Sequence, residues 1–372
     1  MAVVQYIDPE DGAAYPLAEP RWRSDAGRPL MITPLAGIGQ DDIDKRNRSI
    51  WRYRAALPID MAPVSLGEGL TPLIGRRFAG ADLLFKLEWF APTGSFKDRG
   101  ASVMVSYLKS RGVTRILEDS SGNGGAAIAA YGAAAAVGVK ILAPATTQPA
   151  KIAQMRAFGA EVQLVPGPRE ECQHEAIRQS ARMFYASHNW QAFFLQGTKL
   201  LAYELWEDLG FAVPDNVIIP TGAGSNVLGC DIGFSELLAA GQIDKRPRLF
   251  CAQPANCAPI DARFRGKHDV AFAPTIAEGT AIKQPVRMKQ VLEALQRSNG
   301  GTMAVSEDEI VATVRALAQQ GLYAEPTSAV AAAAAKKLLA GNAIKPHETT
   351  VVLLTGTGLK ATALMTEWFA KA

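Results

Sequence analysis

The sequence predicts an α/β protein with mostly parallel sheet, and three observations lead there. From about residue 80, short β-branched or apolar runs alternate with longer helical segments. Three glycine-rich loops follow strand candidates, and each opens into a helical stretch. The 372 residues suffice for two domains or one large one. Composition excludes other classes. With 48% hydrophobic and 20% charged residues the chain is neither disordered nor a coiled coil. A formal charge of +3 is too balanced to point to nucleic acid. No apolar run reaches the length of a membrane span, and the start (MAVVQYIDPEDG) lacks a basic stretch followed by an apolar one. A cytoplasmic protein with no membrane partner is expected.

The first 50 residues are rich in Pro, Gly, Asp and Arg and read as a loop-rich arm. Strands are expected at 82–87, 115–118, 139–143, 161–165, 216–220, 248–252 and 349–354. Helices are expected at 101–110, 125–136, 170–186, 198–209, 307–320 and 328–340, the last two alanine runs (133–136, 331–335) lying inside helical patterns. Parallel strands need crossover helices, and ligands bind where the strand C-termini meet a crevice. The residues after each strand therefore carry the argument. Four cysteines, Cys172, Cys230, Cys251 and Cys257, have no CxxC spacing, so reduced thiols are expected rather than a zinc ribbon or redox pair.

The first loop is Ser120, Ser121, Gly122, Asn123, Gly124 and Gly125. The second runs from Thr221 through Gly222, Ala223, Gly224 and Ser225 to Asn226. The third is Thr355, Gly356, Thr357, Gly358, Leu359 and Lys360. A loop that opens a helix presents unpaired N–H groups at a positive helix end, which suits an anion. Gly122, Gly124 and Ala127 fit G-x-G-x-x-A, but the strand that follows ends in Pro144, Ala145 and Thr146, without the acid that a dinucleotide site needs. The P-loop spacing is also missing. A fourth segment, residues 92–100, reads PTGSFKDRG. Ser95 reads as an N-cap that puts Lys97 in the first turn of a helix. The field of a helix N-terminus disfavours a cation there, and a neutral amine can form a Schiff base.

This segment resembles the cofactor lysine motif of the threonine synthase family, among the fold-type II pyridoxal-phosphate enzymes. Five further stretches match that family in order: SIWRYRAAL with VSLGEGLTPL, SSGN, the loop at 221–229, EPTSA at 325–329 and LTGTGLK at 354–360. The resemblance implies two open, mostly parallel α/β lobes with an N-terminal arm. It implies an arm at 1–50, a large pyridoxal 5'-phosphate-binding domain at 51–100 and 200–372, and a smaller domain at 101–199 carrying the asparagine loop. It implies that Lys97 is catalytic and carries the cofactor. Gly222, Ala223, Gly224, Ser225 and Asn226 would hold its phosphate, Asn123 its phenolic oxygen, and Thr355 its pyridine nitrogen. The Ser120, Ser121, Gly122 and Gly124 backbone would hold the substrate carboxylate. A neutral hydroxyl opposite the pyridine suits elimination and replacement better than transamination. The expected reaction is that of a lyase in amino-acid metabolism, O-phosphohomoserine and water giving threonine and phosphate, in a homodimer with a small amino-acid substrate.

The sequence departs from this family in two places. Asp8, Asp11, Ser24 and Ala26 stand where many members carry the cysteines of a zinc-ribbon-like element, so no structural metal is expected; Tyr6, Tyr15 and Trp22 should hold the arm. Gly124 follows SGN where a hydroxyl residue is usual, and Phe194 stands where an arginine binds the substrate phosphate. A phenylalanine cannot neutralise a phosphomonoester. Arg99, Lys199, Lys283 and Arg287 are candidate substitutes. The alternative is an ammonia-lyase or β-replacement enzyme acting on an unphosphorylated hydroxy- or diamino acid, and a non-catalytic homologue is the reading from another class. His188, Gln253 and Glu278 are candidates for either site contacts or structural hydrogen bonds.

Overall fold

In the computed structural model, which describes residues 3–147 and 149–370, the chain divides into two units. One holds the residues up to Leu70 together with Lys97–Leu201. The other holds Thr71–Phe96 and the residues from Ala202 onward. Residues 51–70 and 97–100 therefore fall in the first unit, not with the large domain as expected. The reason is local pairing: the Trp51 indole N–H donates to Glu68 and to Ser102 Oγ, and the Val64 N–H donates to Ser106 Oγ, tying this segment to helix Lys97–Ser110.

The first unit is built on a four-stranded parallel sheet in the order Glu161–Val165, Gly138–Pro144, Arg115–Glu118, Phe184–Tyr185. The expected helix at 170–186 is shorter: it spans Arg169–Gln179, and Phe184–Tyr185 pairs instead with Ile116 and Leu117. Apolar residues at the end of a helical pattern went to an edge strand, where they cover more core. Helix Ala192–Thr198 is buried throughout and crosses helix Lys97–Ser110 closely. The arm adds a small antiparallel sheet, Ala14–Pro16, Gln5–Ile7 and Met31–Ile32. Tyr6 is fully buried, and its hydroxyl donates to Tyr107 Oη at 2.8 Å. Trp22 packs edge-on against Tyr185 and Trp190, and Tyr15 lies under the Arg21 guanidinium. Arg28 Nε donates to both oxygens of the buried Asp8, at 2.9 and 3.1 Å, and its Nη2 bonds Asp11. Burial pushes the Asp8 carboxyl up, but bonds from the Glu10 N–H, Ser24 and Arg28 outweigh it and hold it below its ordinary value.

The second unit is built on a six-stranded sheet, Gly301–Val305, Arg248–Pro254, Asn216–Pro220, Thr350–Leu354, Ala81–Leu87, Leu73–Phe78, parallel except for its last pair. The two central strands, Asn216–Pro220 and Thr350–Leu354, are buried at every residue, as strands covered on both faces must be. Helix Pro326–Ala340 lies on this sheet with Ala329 through Ala335 buried. Alanine there costs little side-chain entropy and lets backbone approach sheet. Lys86 is buried and satisfied: its Nζ sits 2.6 Å from Glu204 Oε1, Asp208 Oδ2 and the Thr71 carbonyl. Among the described residues no helix is long and apolar enough to cross a membrane.

Candidate active site

In the first unit the loop after strand Arg115–Glu118 opens helix Asn123–Ala135 with Gly122 as N-cap. Asn123 is thus the first helical residue, and the N–H groups of 122–124 lie at the positive helix end. Lys97 is the first residue of helix Lys97–Ser110. Ser95 does not cap it. Its Oγ is buried and makes no hydrogen bond, and its backbone instead pairs with Gly356. The neighbouring Phe96 N–H donates to the Thr355 carbonyl at 3.0 Å, so extended pairing wins over a cap at this turn.

Phe194 is completely buried. Its ring lies against Gly100, where a Cβ would stand 2.5 Å from ring carbons, and Lys97 Nζ is 5.6 Å from its centroid. His188 meets Phe194 edge-on at 5.6 Å. A Cβ on Gly124 would stand 2.8 Å from His188 Cε1 and 2.9 Å from Nδ1, so a hydroxyl residue at 124 and this imidazole exclude each other. Gly124, His188 and Phe194 form one wall beside the loop.

Behind this wall lies Glu118, the last residue of its strand and fully buried. Its Oε1 is 3.0 Å from His188 Nδ1 and accepts the Asp119 N–H at 3.0 Å, while its Oε2 accepts the His188 N–H at 3.1 Å. Burial raises the Glu118 carboxyl to about 7, against those hydrogen bonds and the nearby Lys97 charge. Burial holds the His188 imidazole well below its ordinary value, and Lys97 adds to the effect. Glu118 was missed from sequence. Its signal is an acid that ends strand Arg115–Glu118 directly after two apolar residues, two positions before Ser120.

In the second unit Gly224, with φ +94°, caps helix Ser225–Ala239 after strand Asn216–Pro220. A left-handed N-cap of this kind is cheap only for glycine. Asn226, in the first turn, is 2% exposed, and both polar atoms of its side chain lack a partner. The unsatisfied Nδ2 donor at a helix start suits an anion. Gln253 supports the loop structurally: its Nε2 donates to the Thr221 carbonyl at 3.1 Å, and its Oε1 accepts the N–H groups of Ile260 and Asp261. Glu278 is exposed on a short 3-10 turn. Thr355 is buried at the end of strand Thr350–Leu354, 3.3 Å from Ser328 Oγ. Ser328 donates to the Gly356 carbonyl at 2.9 Å and accepts its N–H at 2.8 Å. The Ser328 proton is committed to the Gly356 carbonyl, so the Thr355 proton is the one available to another acceptor.

Of the candidate phosphate cations, Arg99 and Lys199 are buried in the first unit and engaged in interactions there. Lys283 is exposed in the second unit. Arg287 is buried there, and burial alone lowers its guanidinium to about 9. The four cysteines are buried and form no disulfide, and burial pushes the Cys251 thiol up to about 12, which removes it as a nucleophile.

A family model described as "Pyridoxal-phosphate dependent enzyme" matches residues 64–356. The threonine synthase of Methanocaldococcus jannaschii is 34% identical over 338 residues, covering 87% of this chain and 83% of that protein. That of Mycobacterium tuberculosis is 33% identical over 318 residues, covering 83% and 87%. Among solved structures, a fungal L-serine ammonia-lyase from Rhizomucor miehei aligns with a TM-score of 0.72 at 22% identity, over 82% of this chain and 98% of that one. The processed form of threonine deaminase isoform 2 from Solanum lycopersicum aligns with a TM-score of 0.70 at 23% identity, over 96% of each. The structural likenesses carry the fold, and the sequence matches carry the family. The chain belongs to the pyridoxal-phosphate-dependent enzymes and is a lyase of the threonine synthase-like group.

Proposed function

We propose that this enzyme removes a leaving group from the side chain of a small amino acid, and that the leaving group is a hydroxyl rather than a phosphate ester. Pyridoxal phosphate, when bound, withdraws electrons from the substrate Cα and so weakens the bonds to be broken. The residues present fit it. The N–H groups of Gly222 through Asn226, with the unsatisfied Asn226 side chain, would take its phosphate. Thr355 would donate to the pyridine nitrogen and Asn123 to the ring oxygen. Lys97 Nζ would hold the cofactor and then move the Cα proton. The Ser120, Ser121, Gly122 and Gly124 backbone would orient the substrate carboxylate.

The observation that carries the leaving-group assignment is the wall of Gly124, His188 and Phe194. A phosphate leaves without a proton but needs fixed cations; a hydroxyl needs no cation but must be protonated. This wall offers an imidazole and a phenyl ring beside Lys97. The reading with O-phosphohomoserine as substrate draws its support from the relatives named threonine synthase. A panel of O-phosphohomoserine, serine, threonine and diaminopropionate, read for phosphate, threonine, ammonia and keto acid, separates the two. A cytoplasmic homodimer is part of the same proposal, and sedimentation of the holoenzyme tests the dimer.

A further inference from the structure

We propose that His188 is a further catalytic residue, and that Glu118 and His188 form a proton relay whose Nε2 protonates the hydroxyl leaving the substrate side chain. The proposal rests on the leaving-group reading above and assigns the group that makes it possible.

Geometry supports the relay at three points. Glu118 is anchored by two backbone N–H groups, so its carboxyl cannot swing away from His188 Nδ1 at 3.0 Å. The Cε1–Nδ1 edge of the ring lies over Gly124, and only the missing side chain there admits it. Phe194 holds the ring from the side and itself lies beside Lys97. Among the described residues no hydrogen bond engages Nε2, while Nδ1 is taken by Glu118. The charged and titratable groups facing the pair are Lys97 from helix Lys97–Ser110, Asp119 beside Glu118, Arg169 at the start of helix Arg169–Gln179, and Tyr185 near Asp119.

The step balances. In the loaded relay the Glu118 carboxyl proton points to Nδ1, and the neutral ring carries its own proton on Nε2. Lys97 Nζ takes the Cα proton, and the electron pair of that bond forms the Cα–Cβ double bond. The Cβ–O bond breaks with its pair on oxygen. Nε2 gives its proton to that oxygen, Nδ1 takes the Glu118 proton, and water leaves. The ring ends neutral, Glu118 ends as carboxylate, and Lys97 holds the proton that restores the relay. Because burial raises the Glu118 carboxyl to about 7, the loaded form is present below that pH and is lost as pH rises through it.

The test compares wild-type holoenzyme with His188→Gln and Glu118→Gln. L-serine requires a protonated leaving group, whereas β-chloroalanine does not. The expected result is a ~10²- to 10⁴-fold loss of kcat on L-serine in His188→Gln with elimination of chloride retained. Wild-type kcat on serine should fall above about pH 7, and Glu118→Gln should lose that limb. If His188→Gln dehydrates serine at the wild-type rate, or loses both substrates equally, the relay is overturned. Exchange of the alanine Cα proton in D₂O separates this from the broader reading. Wild-type enzyme that exchanges it but dehydrates no hydroxy amino acid overturns the hydroxyl leaving-group reading together with the relay, whereas wild-type enzyme that dehydrates serine no faster than His188→Gln overturns the relay alone. Wild-type enzyme that exchanges nothing overturns the lyase reading, and the relay with it.

Discussion

The loop Thr221 to Asn226 and the wall of Gly124, His188 and Phe194 solve different problems with similar parts. The loop gathers backbone donors at the start of a 15-residue helix and leaves the Asn226 amide, one donor and one acceptor, buried and unsatisfied. The wall closes on itself: its imidazole is bonded to a buried acid, its glycine is filled by that imidazole, and its phenyl ring fills a second glycine. A loop built for a constant ligand can keep open valences, because the ligand repays them. A wall facing a variable group sets specificity by shape and proton supply.

Substitutions that touch one region and not the other test this contrast. The largest effect belongs to Lys97, which both regions need. Lys97→Ala should lose the visible absorbance of the holoenzyme and reduce turnover by ~10³-fold or more. Unchanged absorbance in the variant would contradict the assignment. Gly124→Thr comes next. Its Cβ would push the imidazole off Glu118, and a displacement of this size should lower kcat about 10²-fold, with cofactor absorbance kept. A variant that lost cofactor instead would erase the distinction between loop and wall. Asn226→Ala should act on the loop alone. Removal of hydrogen bonds worth about 1 kcal/mol should weaken cofactor binding ~5-fold, measured by titrating the apoenzyme.

The smallest effect is expected in the arm, remote from both in sequence. Asp8→Asn should lower the melting temperature near neutral pH. The Asp8 carboxyl titrates below its unfolded value, so its contribution is present above the unfolded pKa and disappears as pH falls through the folded one. Melting curves of variant and wild type should converge toward acid; a constant gap across pH would show that Arg28 is not the reason.

Much of the fold was legible because parallel strands covered on both faces are short, continuous apolar runs. Asn216–Pro220 and Thr350–Leu354 carry such runs, VII and VVLL, and are buried at every residue. Helix Ala192–Thr198 was not legible, since AFFLQGT is buried on every side and shows no period. The loop Thr221 to Asn226 could be seen because glycine followed by a helix start has a mechanism of its own. The wall could be seen only in part. Phe194 and Gly124 stood out singly, but their link through His188 depends on residues 64 positions apart (188 against 124) meeting in space. Glu118 was hidden for the same reason: an acid at a strand end acquires meaning only from the imidazole bonded to it.

The central claim is that this wall serves a hydroxyl leaving group. Its most direct measurement gives the holoenzyme O-phosphohomoserine and L-serine or L-threonine in parallel, with phosphate, threonine, ammonia and keto acid quantified. Ammonia and keto acid from the hydroxy amino acids, with no phosphate release, is the expected result. Threonine and phosphate from O-phosphohomoserine, with the hydroxy amino acids untouched, would contradict it.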